Sequence, residues 1–122
     1  MTVYSTQTLV SNVEFGTPSG NYDGSSLDWI SNAVPAASYY GGQGSLQTIT
    51  YQLQDFTGNI FISATLNDSQ ISAPWFEVAN VIYGNTIETG TTPVNVIGNF
   101  TWLRAEIKDF AGGTIQAITA AY

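Results

Sequence analysis

Thr48-Ile49-Thr50-Tyr51-Gln52-Leu53-Gln54 alternates apolar and polar side chains without a break. That two-residue period belongs to a half-buried β-strand, with Ile49, Tyr51 and Leu53 facing a core and Thr50, Gln52 and Gln54 facing water. Asp55-Phe-Thr-Gly-Asn59 follows with turn-forming residues, and Ile60, Ile62, Ala64 and Leu66 resume an inward face. The pair predicts a β-hairpin closed by Asn67-Asp-Ser-Gln70.

The same pattern continues downstream. Trp75 to Tyr83 is rich in aromatic and β-branched residues, Gly84-Asn85 reads as a turn, and Thr86 to Thr89 as a short strand. Gly90-Thr-Thr-Pro93 is expected to break the chain before strands at Val94 to Ile97 and Phe100 to Lys108. The latter sets Leu103, Ala105 and Ile107 on one face and Trp102, Arg104, Glu106 and Lys108 on a solvated one. Upstream, Thr2 to Val10 and Val13 to Phe15 are strand-like and Gly16 to Ser26 is loop. Leu27 to Ala33 is compatible with one helical turn, and Pro35 to Gly44 is a Gly-rich connection. An internal echo links Asp55-Phe-Thr-Gly-Asn-Ile60 to Asp109-Phe-Ala-Gly-Gly-Thr-Ile115. These features predict an all-β chain, an antiparallel two-sheet β-sandwich of jelly-roll-like form, as a single domain over residues 1–122 with a less regular N-terminal part, 1–47.

The chemical inventory is narrow. In 122 residues there are two cations, Arg104 and Lys108, nine carboxylates, and no His or Cys, for a formal charge of -7. The usual pH 7 acid/base group, the thiol nucleophile and the usual transition-metal ligands are missing together, which favours binding or structure over catalysis. Two cations cannot build a phosphate-binding patch, so nucleic acid is excluded as the main partner. No stretch approaches the apolar run a membrane helix requires, and Met1-Thr-Val-Tyr-Ser5 lacks the pattern of a signal peptide, so synthesis in a cytoplasm is expected. With only 9% charged residues, the surface must be covered by Ser, Thr, Asn, Gln and Gly, which cost less to desolvate than ions and suit assembly.

Individual motifs add little chemistry. Glu77, Glu88 and Glu106 supply carboxylates, but their spacing selects no glycosidase-like pair, and solvated carboxylates are the expectation. Asn21-Tyr-Asp-Gly-Ser-Ser-Leu-Asp28 offers oxygens around a Gly, as a calcium loop does, yet lacks the twelve-residue spacing and closing Glu, so an Asx-type turn is expected. Gly41-Gly-Gln-Gly44 lacks the Lys and Ser/Thr of a phosphate loop. No catalytic, cofactor or metal residue is assigned. Trp29, Trp75, Trp102, Tyr39 and Tyr40 could stack on sugars or anchor a protein. Trp75 is expected in the core or at a sheet edge, while Tyr39, Tyr40 and Trp102, with Arg104 as an ion-pair anchor, are the candidate partner-binding residues.

Asp55-Phe-Thr-Gly-Asn-Ile60, Trp75-Phe-Glu-Val78, Gly98-Asn-Phe-Thr-Trp-Leu-Arg-Ala105 and Asp109-Phe-Ala-Gly-Gly-Thr-Ile115 through Ile118 to Tyr122 resemble small virion structural proteins of tailed bacteriophages, especially the large contractile-tailed phages of marine cyanobacteria. The resemblance implies a multicopy or homo-oligomeric β-sandwich, made in a host cytoplasm and carried on the virion. It points first to a capsid decoration, or cement, protein that binds the major capsid protein or other virion proteins and stabilises the shell, with Gly16 to Asp28 and Tyr39 to Gly44 as contact loops. The alternatives are a carbohydrate-binding adhesion module of a tail fibre or baseplate, and a tail-tube or neck component.

Overall fold

The structure is a computed structural model that describes residues 6–37, 45–67, 74–84 and 86–122. Its strands are β1 (Thr6–Glu14), β2 (Trp29–Ile30), β3 (Val34–Pro35), β4 (Leu46–Thr65), β5 (Phe76–Ile82), β6 (Glu88–Ile97) and β7 (Trp102–Ala121). Every pairing between them is antiparallel, and no helix occurs among the described residues. The chain is all-β, as its two-residue period predicts.

The predicted hairpin at Asp55 is not one. Thr48–Gln54 and Ile60–Thr65 lie in a single twenty-residue strand, β4, and Asp55–Asn59 bends it without reversing it. The echo segment Asp109–Gly113 likewise lies inside β7, whose twenty residues run on from Trp102 to Ala121. The reason is the partner: β4 and β7 pair along their whole lengths, from Thr48 opposite Ala121 to Thr65 opposite Trp102, so a bend in one must be matched in the other. Asp55 and Asp109 adopt φ of 53° and 54°, a left-handed conformation that Asp tolerates better than most residues, and the ladder shifts register there.

Each bend also carries a glycine under the other strand. A Cβ on Gly113 (φ 82°) would lie 2.1 Å from the Asp55 carbonyl oxygen, and one on Gly58 (φ 147°) would lie 3.0 Å from that of Asp109. The echo in the sequence is therefore a reciprocal crossing of two bent strands, each needing Gly where the other's backbone presses.

Bending the β4–β7 ribbon makes two half-sheets. In the first, β1 flanks Thr114–Ala121 of β7, and β6 flanks the first half of β4. In the second, β2 and β3 flank Trp102–Ile107 of β7, and β5 flanks Asn59–Ala64 of β4. Their inner faces share one core: Ile49, Tyr51, Leu53, Ile115 and Ile118 from one half, Ile60, Ile62, Ala64, Leu103, Ala105 and Ile107 from the other. Phe56 and Phe110 stack at the fold, 5.7 Å apart, with Tyr22 and Trp29 packed on Phe110. The Tyr122 hydroxyl donates to the Pro35 carbonyl at 2.9 Å and ties the end of the first half to the second.

Other expectations change for local reasons. Leu27–Ala33 forms no helical turn, because Trp29–Ile30 pairs with Ile107–Glu106 as β2. Gly90–Pro93 does not break the chain: β6 is continuous, and Pro93 is tolerated on an edge strand where its missing N–H faces no partner. Leu66, read as inward, is exposed because β4 ends at Thr65. Thr2–Phe15 supplies one strand, β1, kinked at Asn12 (φ 52°), with its first residues outside the described ones.

Candidate interaction surfaces

The two outer faces of the folded sheet differ in chemistry. On the first half, side chains that point away from the core fall into register across β1, β7, β4 and β6: Thr6, Ala121, Thr48 and Asn95 in one row; Thr8, Thr119, Thr50 and Pro93 in the next; Ser11, Ala117, Gln52 and Thr91 in a third. All twelve are exposed or half-exposed and none is charged. Leu46 opposite Ile97 extends this face, 51% and 77% exposed. The order comes from the β4 alternation: burying Ile49, Tyr51 and Leu53 forces Thr48, Thr50 and Gln52 outward. Sequence reading identified these as a wet face and missed their significance; the available signal was that the positions facing them on β1, β6 and β7 are also uncharged, the first carboxylate on β1 being Glu14 at its bend end.

The outer face of the second half holds both cations of the chain. Across β2, β7, β4 and β5 the rows run Ile30, Glu106, Phe61 and Asn80, then Arg104, Ser63 and Glu77. Arg104 is engaged within its own chain. Its guanidinium carbon lies 4.3 Å from the Trp75 ring centre and its Nη2 lies 3.7 Å from Glu106 Oε1, with the side chain 25% exposed. Ser63 donates to Glu106 Oε2 at 2.8 Å, and the Lys108 ammonium sits 5.3 Å from the Phe61 ring centre. Rings and carboxylate thus hold both cations within the chain. Trp75 lies half-buried just before the edge strand β5, and Trp102 is half-buried beside Thr65. Glu88 sits at the bend opposite Phe56, away from Glu77 and Glu106.

The Gly16–Asp28 loop is built inward. Tyr22 is buried and its hydroxyl accepts from the Gly16 N–H at 3.0 Å. Asp23 accepts from the backbone N–H groups of Ser25 and Ser26 and from the Ser26 hydroxyl, bonds that hold its carboxyl down to about 2. Asp28 accepts the Asp109 N–H at 3.0 Å and fastens the loop to the bend of β7. This is the Asx-type turn the sequence predicts. A groove of about 530 Å³ runs between this loop and β7, past Asp23, Asp28, Glu106 and Lys108. Trp29, considered for surface stacking, is 8% exposed and belongs to the core. Tyr39 and Tyr40, with Gly41 to Gly44, lie outside the described residues.

Of the four candidate partner-binding residues, Trp102 and Arg104 are among the described ones. Trp102 and Arg104 share the charged face, and neither adjoins the neutral one. No family model and no curated protein matches the chain. The chain is similar to a solved structure described as "CBM4 structure and function", with 16% identity, a TM-score of 0.35, and coverage of 91% of this chain and 88% of that one.

Proposed function

We propose that the chain is a non-catalytic virion structural protein of a tailed phage, a capsid decoration protein that sits in many copies on the assembled shell and holds neighbours together. The observation that supports this reading is the division of charge between the two outer faces. A chain of charge -7 repels its own copies, yet one outer face carries twelve uncharged side chains in register, with Glu14 only at its bend-end rim. Such a face packs against a neighbour without stripping water from an ion, the most expensive desolvation an interface can require. Binding only to the assembled shell then stabilises it in proportion to occupancy.

The test is co-sedimentation with preassembled undecorated capsids across a salt series. Saturable binding that survives moderate salt, with a rise in the thermal resistance of the shell, is the expected result. Absence of capsid binding, with the protein found in tails instead, rejects decoration.

A carbohydrate-binding module of a tail fibre or baseplate is the second reading. It is favoured by the grouping of Trp75, Trp102 and Phe61 with Arg104 and Glu106 on the charged face, where rings and hydrogen-bonding groups alternate. Saturable binding to a glycan array that is lost in Trp102→Ala supports this reading over decoration.

A further inference from the structure

The neutral face raises the question of what covers it. We propose that its occupant is a second copy of this chain, packed face to face about a two-fold axis near Thr50 and Thr119. This rests on reading the face as an assembly surface and goes beyond it by naming the partner.

Charge selects the partner. The described carboxylates lie elsewhere: Glu14, Asp55, Glu88 and Asp109 at or beside the bends, Asp23 and Asp28 in the loop, Glu77 and Glu106 on the second half-sheet. Two copies brought together by the bends or the loop juxtapose like charges, and the second half-sheet already holds its Arg104–Glu106 pair and Lys108 within the chain. Two neutral faces bring no ion into the contact, with Glu14 at its rim and the other described carboxylates outside it, where salt screens them. A cationic partner is drawn instead to the carboxylate-bearing regions, because the neutral face offers it no ion pair.

Shape and size agree. A two-fold axis running along the strands between β4 and β7 sets each row on its own counterpart, so threonine methyls pack while hydroxyls exchange hydrogen bonds, and a self-complementary patch needs no second surface. Three rows across four strands, at about 4.8 Å by about 6.8 Å per residue position, together with the Leu46–Ile97 pair cover roughly 450 Å² per copy, or about 900 Å² in total, just below the size of stable specific interfaces. The contact is therefore weak in dilute solution and becomes effective when copies are held side by side on a shell, where local concentration is high.

Sedimentation velocity on the isolated protein from about 1 µM to about 1 mM tests this. The wild-type sedimentation coefficient should climb from monomer towards dimer over that range. Added salt should strengthen the association, because it screens repulsion between two acidic bodies. Thr50→Lys should remain monomeric throughout, although it lowers the net negative charge, since it sets like charges across the axis. Thr119→Lys should do the same and replaces it if Thr50→Lys melts early by circular dichroism. Asn80→Lys on the opposite face makes the same change in net charge and should dimerise at least as well as wild type. A wild-type protein that stays monomeric across the range overturns the inference, as does association that Thr50→Lys and Thr119→Lys leave intact or that salt weakens. Capsid co-sedimentation reads the decoration reading separately: monomers that bind capsids sink only the second copy, and dimers that ignore capsids sink only decoration.

Discussion

At the scale of single residues, the buried polar groups show where the core is under-satisfied. Tyr51 is fully buried, its hydroxyl has no hydrogen-bond partner among the described residues, and burial together with the neighbouring Tyr83 pushes its ionisation well above the usual range. An unsatisfied buried hydroxyl costs about 1–3 kcal/mol, so Tyr51→Phe should leave stability unchanged or raise it by about 1 kcal/mol in chemical denaturation. A loss larger than that would mean the hydroxyl is bonded in solution. Asp23 is the opposite case, exposed but well satisfied. Its carboxyl falls from 3.8 to about 2, first through the Ser25 N–H and then through the hydroxyl and N–H of Ser26. A lowered folded-state value stabilises the fold above pH 3.8, and that contribution is lost as pH falls through about 2. Carboxyl-carbon NMR should find the Asp23 midpoint well below 3.8, and Ser26→Ala should move it upward. A midpoint at the ordinary value would remove the Asx turn from the solution structure.

At the scale of elements, the paired bends decide the architecture. Gly113→Ala would drive a methyl to 2.1 Å from the Asp55 carbonyl oxygen at a φ of 82°, with backbone on the other side and no flexible side chain to yield. Gly84 has a φ of 59° and nothing within 4 Å, so the same substitution there incurs only the conformational term. Thermal denaturation should therefore show a loss of about 1 kcal/mol for Gly84→Ala and more than about 4 kcal/mol, or no folded protein, for Gly113→Ala. Comparable losses at the two sites would mean that the strands do not cross as described. These bends also mark the limit of legibility in the sequence. The two-residue period exposed Ile49, Tyr51, Leu53, Leu103, Ala105 and Ile107 as core, and all are at most 3% exposed. Asp-Phe-x-Gly was visible as a repeat, but turn chemistry alone does not distinguish a reversal from a bulge. The register of a partner more than forty residues away makes that choice, and local composition does not carry it. For the same reason the neutral face was half legible: the outward threonines of β4 could be read, while their alignment with those of β1 and β7 is a property of pairing.

At the scale of the whole molecule, the β4–β7 ribbon is the hub, because β5 and β6 pair with β4 and β1, β2 and β3 pair with β7. Among the described residues, only the β4–β5 pairing joins neighbours in sequence, closing at Ala64 opposite Phe76. Leu46 must find Ile97, and Thr48 must find Ala121 at the end of the described strands. β7 must then lay its own bend over that of β4 before Gly58 and Gly113 settle against the opposing backbones. Each distant closure costs chain entropy before its contacts repay it, and that ordering governs the rate more than the final stability does. Stopped-flow refolding from denaturant, followed by tryptophan fluorescence, should therefore run in milliseconds to seconds. Substitutions in the β4–β5 pair, such as Ile62→Ala, should slow refolding more than Ile118→Ala in the last half of β7, which should chiefly hasten unfolding. Refolding in microseconds, or equal partitioning of the two substitutions, would show that β7 docks early. In that event the paired bends would organise the nucleus instead of completing it.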